Sequence, residues 1–111
     1  MQISTEDLAD GITKVVLDGR LDIAGASAVD LEMNLIAGNK TSVLIDLQRV
    51  SFIGSMGIRT LVTPARTIQR RGGKVVLFAP TELVETVLRT SGIDAIFAIH
   101  HEVGTALAAL R

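Results

Sequence analysis

The sequence predicts an α/β domain: a mixed, mostly parallel sheet with alternating helices, in the order β-β-α-β-α-β-α-β-α. Three observations carry this prediction. Apolar residues recur with a period of two in some segments and about 3.6 in others, and the segments alternate. The later strand segments are short continuous apolar runs, Val43-Leu44-Ile45 and Val75-Val76-Leu77-Phe78-Ala79, as in strands buried on both faces. Glycines close the helical segments at Gly38, Gly72-Gly73 and Gly92, where a helix end favours a residue without a Cβ.

The elements follow in order. The polar stretch around Ile3 reads as an edge strand, and Asp10-Gly11 as a turn. The segment from Ile12 to Gly19 is β-branched, with Val15, Leu17 and Leu21 on one face, so the first two strands form a hairpin. From Ala24 to Ala37 the spacing is helical: Val29, Met33 and Ile36, with Ala28, Leu31 and Leu35 alongside, and Gly38 as the stop. Val43 to Ile45, with Leu47 behind, is the next strand. A second helix opens at Ser55, its inner side marked by Met56, Thr60 and Thr63 together with Leu61, Ala65 and Ile68. Arg66, Arg70 and Arg71 occupy its last turns, where cations suit the helix dipole. Pro64 lies inside it and predicts a kink, or an early stop and restart. After the strand Val75–Ala79, Thr81 caps a third helix striped by Leu83, Val84, Val87 and Leu88. Ala95–Ile99 is the last strand and Glu102–Leu110 the last helix. Parallel strands joined this way need right-handed crossovers.

The 111 residues suit one domain, residues 1–111. The absence of cysteine excludes disulfides, cysteine nucleophiles and thiolate metal sites. Eleven basic and 12 acidic residues leave a formal charge of -1, so no bulk attraction draws the chain to nucleic acid. The only aromatics are three Phe, which argues against base-stacking platforms. Mean hydropathy is high, +0.43, yet no apolar run approaches the roughly 18 residues of a membrane span. Met1 to Asp7 carries neither a basic nor an apolar leader segment. The expectation is a cytoplasmic protein without membrane insertion.

Ser55 is the position of most interest. It follows a buried strand and opens a helix between Gly54 and Gly57. Sites in such sheets gather at the carboxyl ends of strands, and a helix N-terminus attracts negative charge. The plain alternative makes Ser55 an N-cap only. Other chemistries fit less well. Gly73-Lys74 resembles the end of a phosphate-binding loop, but Ile68 and Val75 stand where Gly and Ser or Thr belong. His100-His101 lacks convergent ligand partners and reads as a surface pair. Ser55, Asp94 and His100 occur in the chain order of a hydrolase triad, but Ile53 replaces the first Gly of the nucleophile motif.

The segment Asp46-Leu47-Gln48-Arg49-Val50-Ser51-Phe52-Ile53-Gly54-Ser55-Met56-Gly57-Ile58-Arg59-Thr60-Leu61 resembles the signature of STAS domains, the anti-sigma factor antagonist family. Gly19-Arg20-Leu21-Asp22, Gly72-Gly73 and the stretch Leu88 to Phe97 are similar to its other segments. The resemblance spans nearly the whole chain. It implies a binding module and not an enzyme, with no catalytic residue, cofactor or metal of its own. In this family the serine matching Ser55 is phosphorylated by an anti-sigma factor that is also a serine kinase. The unphosphorylated form binds that factor and frees a sigma factor for transcription in bacteria, and a PP2C-type phosphatase resets the switch. The resemblance assigns partner binding to Asp22, Gly54, Ser55, Met56, Gly57 and Arg59. Two positions depart from the family pattern: Gly54 replaces its Asp, and Met56 its Ser or Thr. Asp22 reads equally as a helix-start residue, and Arg59 as a solvated surface cation. An alternative role is a STAS accessory subunit of a transport ATPase, regulating without phosphorylation, in which the helix from Ser55 is a constitutive docking face.

Overall fold

The hairpin forms as the alternation predicts. β1 (Gln2–Asp7) pairs antiparallel with β2 (Thr13–Leu21), placing Ile3 opposite Leu17. At the turn Asp10 and Gly11 take left-handed φ of 63° and 72°, a region that Asp and Gly reach at least cost. The computed structural model describes residues 1–111.

β3 (Ser42–Ile53), β4 (Lys74–Phe78) and β5 (Ala98–His100) extend the sheet in sequence order, and every pair from β2 onward is parallel. A strand order that always steps the same way, joined by right-handed crossovers, sends every crossover helix to the same face. α1 (Ile23–Asn39), α2 (Ser55–Arg70) and α3 (Glu82–Thr90) all share one core with the sheet, holding Val29, Met33, Leu61, Ile68, Val84 and Leu88. α4 (Val103–Leu110) follows the last strand and covers the other face, where Ala106 and Leu110 pack with Leu44, Val76 and Phe78. The expected fold class and element order are therefore present, and no helix is long and apolar enough to cross a membrane.

β3 shows both kinds of strand environment. Val43 to Leu47 are all buried, between helices on both faces. Beyond Leu47 the buried residues are Val50 and Ile53, three apart because the ladder with β2 shifts register twice along this half, while Gln48, Arg49 and Ser51 face solvent. This second half outruns β4, whose pairing ends at Asp46↔Phe78, and is held by β2 alone.

Several boundaries differ from the sequence reading. α1 runs through Gly38 to Asn39 and is capped at Lys40. Gly38 is not a helix stop, because the turn to β3 comes later. Leu31 and Leu35 are 71% and 55% exposed, so they lie outside the α1 core stripe. α2 is continuous through Pro64, neither stopping nor restarting. Burial of Leu61, Ala65 and Ile68 around it outweighs the roughly 3 kcal/mol that an interior proline costs. Met56, Thr63 and Leu83 are exposed and do not belong to the inner faces. The last strand is shorter and later than Ala95–Ile99. Gly92 takes φ 78° and starts a 3₁₀ turn, Ile93–Ala95, before β5 begins at Ala98. Thr81 caps α3 as expected, accepting from the Val84 N–H at 3.3 Å.

α2 sits hard against the end of β2 through a glycine. A Cβ added at Gly57 would lie 2.4 Å from the Leu21 carbonyl oxygen and 2.7 Å from the Leu21 Cβ. Neither neighbour is a flexible side-chain end, so α2 must lift. Gly57→Ala is expected to cost about 2 kcal/mol, a fall of roughly 10 °C in thermal midpoint. Gly38→Ala meets no atom within 4 Å and should raise stability by about 0.5 kcal/mol. Thermal unfolding of the two variants side by side checks this; equal midpoints would show that α2 is not pinned at Gly57.

Candidate functional site

The site grows out of the ends of β2 and β3. Leu21 and Ile53 are the last paired residues of the two strands, and the Gly54 N–H donates to the Leu21 carbonyl at 3.0 Å. Each strand then passes through a single residue into a helix: Asp22 into α1, Gly54 into α2. Two helix N-termini therefore stand side by side at one tip of the molecule.

The two are finished differently. Asp22 caps α1, its Oδ1 accepting from the Gly25 N–H at 2.8 Å. Gly25 makes this possible, since a Cβ there would stand 1.9 Å from the Arg20 carbonyl. Arg20 donates from Nε to Asp22 Oδ2 at 3.4 Å, and its guanidinium lies 4.4 Å over the Phe52 ring. Asp22 is held below the usual carboxylate range, first by the Gly25 N–H; partial desolvation opposes this and Arg20 reinforces it. α2 has no such cap. Gly54 has no side chain to offer, and no side-chain oxygen accepts from the first turn, so the orphan N–H groups of a helix start are left for an external acceptor or water. Ser55 is not the N-cap: it is the first residue of the helix proper, exposed, with no capping hydrogen bond.

A groove of about 460 Å³ runs from this tip between α1 and α2. Ile23, Ser27, Asp30 and Asn34 form one wall, and Met56, Arg59 and Thr63 the other. Ile23 is 74% exposed and Met56 41%. Thr60 lies beneath, its hydroxyl donating to the Met56 carbonyl at 3.0 Å. Asp22, Gly54, Ser55, Met56 and Arg59 thus share one end of the molecule, and Gly57 lies below them, buried. The α1 wall was missed in the sequence. Its only signal there was Ile23, a large apolar residue following directly on the Asp22 cap.

The triad residues are not brought together. Asp46, Phe78 and His100 lie level across the ladder. β3 then runs on to Ile53 before Ser55 is reached, roughly 20 Å at about 3.3 Å per residue. Asp94 is engaged elsewhere, accepting from Arg89 at 3.3 Å. His101, read as an unpartnered surface residue, has a partner: its Nε2 is 2.7 Å from Glu85 Oε1. Arg89 is the main cause that holds Glu85 below the carboxylate range.

Side chains here can bind and cap; no nucleophile stands beside a base. The tip and groove present an exposed, partly apolar surface between two helix starts, and comparisons with known proteins give the family. The family model for the STAS domain matches residues 7–106, and the chain belongs to that family. Mycobacterium tuberculosis RsfB, named an anti-sigma-F factor antagonist, is 25% identical over 103 residues, spanning 92% of this chain and 84% of its own. Bordetella bronchiseptica BtrV is 28% identical over 108 residues, 96% and 93% of the two chains. An anti-sigma factor antagonist from Mycobacterium paratuberculosis has the same fold, with a TM-score of 0.87 at 25% identity over 99% of this chain and 93% of that one. The Bacillus cell fate determinant SpoIIAA in its phosphorylated form matches in fold at TM-score 0.74 and 19% identity, over 99% of this chain and 100% of that one.

Gly54 has φ -111°, open to any residue, and an added Cβ would meet the Phe52 ring edge at 3.4 Å, an ordinary contact. Gly54→Asp should therefore fold and stabilise the protein by a few tenths to about 1 kcal/mol, through a new cap and a favourable dipole. Urea unfolding checks it; a lower midpoint would show that the tip has no room for the side chain. Asp22 supplies a pH test. Its lowered pKa contributes stability that is complete above the usual Asp range and is lost as pH falls through the lowered value. Asp22→Asn keeps a capping oxygen without the charge, so that part of the acid dependence should disappear. An unchanged acid limb would place the dependence on other groups.

Proposed function

We propose that the chain is an anti-sigma factor antagonist that docks through the paired helix tip and is switched by phosphorylation of Ser55. The observation that carries this reading is the setting of Ser55: exposed, first in an uncapped helix, and next in the chain to Met56, which lines the α1–α2 groove. A kinase can reach that hydroxyl without disturbing the fold. RsfB is a named anti-sigma-F factor antagonist of similar length, which supports the partner class.

In the unphosphorylated state Asp22, Gly54, Ser55, Met56 and Arg59 offer a surface that binds an anti-sigma factor and frees its sigma factor. Phosphorylation adds about -1.5 to -2 charges and three acceptor oxygens. The helix start tolerates that charge, because its N–H groups and dipole face the phosphate. An interface formed over the same spot does not, since the phosphate must be desolvated against the partner. A shift of about 4 kcal/mol would lower affinity by roughly three decades, and half of that would still exchange partners. The anti-sigma factor, acting as serine kinase, supplies ATP and its metal; a PP2C-type phosphatase restores the hydroxyl. The protein acts in the cytoplasm, as regulation of transcription requires.

Gly54 favours a second reading. It removes the carboxylate next to Ser55, and a kinase that needs that carboxylate would pass the site by. The chain would then dock constitutively, as an accessory subunit of a transport ATPase. The test is to recover the protein from its host and resolve phosphorylated from unphosphorylated forms on a Phos-tag gel, with binding partners identified by pull-down. The switch predicts a retarded band that Ser55→Ala abolishes. It also predicts that Ser55→Asp loses an anti-sigma factor by about a hundredfold in affinity with a thermal midpoint within a few degrees of wild type. A transport ATPase captured equally by wild type and Ser55→Asp, with no retarded band, selects the second reading.

A further inference from the structure

α1 is apolar on two opposite faces. Its inner face, Ala26, Val29, Met33 and Ala37, is buried on the sheet. Its outer face carries Ala24, Ala28, Leu31 and Leu35, spaced four, three and four residues apart, all exposed. An exposed stripe of apolar residues marks a surface that another molecule covers, and nothing in this chain covers the outer face. The only charged residues of α1 are Asp30 and Glu32, on either side of Leu31.

The neighbouring helix has the complementary chemistry. α2 contains Arg59, Arg66 and Arg70 and no acid. With Thr63 these fall at i, i+4, i+7 and i+11, one stripe on one face, and all are exposed. None of the eight ion pairs in the chain uses Asp30, Glu32, Arg59, Arg66 or Arg70. One helix therefore presents leucines flanked by free carboxylates, and the helix beside it presents free guanidinium groups on long apolar stems. Arginine stems cover apolar surface while their heads pair with acids. A two-fold axis between the helices satisfies both at once, since each copy supplies one acidic and one basic helix.

We propose that the outer face of α1 and α2 docks a second copy of this chain, α1 of each protomer lying on α2 of the other. Leu31 and Leu35 pack against the stems of Arg66 and Arg70, and Asp30 and Glu32 pair with their guanidinium groups. Complementary charge sets the register, and the near-zero charge of the whole chain, -1, leaves little repulsion between copies.

Sedimentation equilibrium on the full chain tests this with two charge variants. The first, Asp30→Lys with Glu32→Lys, makes both helices basic; the second, Arg66→Glu with Arg70→Glu, makes α2 acidic beside an acidic α1. Wild type is expected to be dimeric. Each variant alone should dimerise at least about tenfold more weakly, and an equimolar mixture of the two should regain the dimer, because only the mixed pair restores opposite charges at both contacts. Leu31→Ser with Leu35→Ser, at exposed positions, should also lose the dimer while keeping the wild-type far-ultraviolet circular dichroism. A wild type that sediments as a monomer at every soluble concentration overturns the proposal and leaves the face to a different protein. So do charge variants that dimerise alone as tightly as wild type.

Discussion

The structure depends on how closely the ends of β2 and β3 approach the helices they feed. Leu21 is the common point. Its carbonyl accepts the Gly54 N–H at 3.0 Å, its register partner is Ile53, and its backbone meets Gly57 with no room for a Cβ. Leu21 itself is fully buried. With this contact in place, α1 and α2 must start side by side at one tip, each after a single linking residue. No loop is needed to bring Asp22 to Ser55, so the site needs no ordering of flexible segments before it can bind. The same contact explains why β3 can extend past β4 without fraying. Its far half has lost one neighbouring strand but is tied to β2 up to its last residue.

That geometry also keeps the residues of the hydrolase order apart. A hydrolase needs its base close to its nucleophile, and here the histidines belong to β5 and the loop after it, at the opposite end of β3's overhang. What the tip offers instead is an exposed hydroxyl, a set of unsatisfied N–H groups and a half-apolar groove. Those are the features on which the proposed docking and its control by charge rest. The capped and uncapped helix starts divide the work. Asp22, pinned by Gly25 and Arg20, makes the α1 side rigid and already satisfied. The α2 side is open.

Most of the fold was legible because burial on both faces writes itself as continuous apolar runs. Val43–Ile45 and Val75–Phe78 could hardly have been anything else, and Thr81 before Glu82 announced a helix start. The errors have physical causes. Gly38 has no atom near its missing Cβ, so nothing local decided whether it ended the helix. The end is set instead by tertiary contacts, Arg71 donating to the Ala37 and Lys40 carbonyls and Lys74 to Thr41. Ala95–Ile99 reads as a strand because its five residues are all apolar, and apolar content alone does not separate a buried turn from a strand. Leu31, Leu35, Met56 and Leu83 were assigned inward because they are apolar, yet each lies on an outer face. At the site, the resemblance assigns the α2 residues, but beyond Ile23 nothing local announces the α1 wall, which exists only once the two helices are neighbours.

Gly54 bears on both stability and function. An acidic residue at that position would cap α2 and occupy the N–H groups that Ser55 leaves free. It would also set a negative charge beside the hydroxyl before any phosphate arrived. Glycine removes both effects. The helix start loses a few tenths of a kcal/mol of capping, and the electrostatic contrast between the unmodified and the phosphorylated tip becomes larger, because the resting state carries no carboxylate next to Ser55. On the proposed docking, a partner meets free donors at the α2 start with no carboxylate directly beside Ser55, and Arg59 is the nearest cation along α2. The chain thus gives up a local stabilising contact at the start of α2, and on the proposed switch the surface that results would discriminate more sharply between the two charge states of a single side chain.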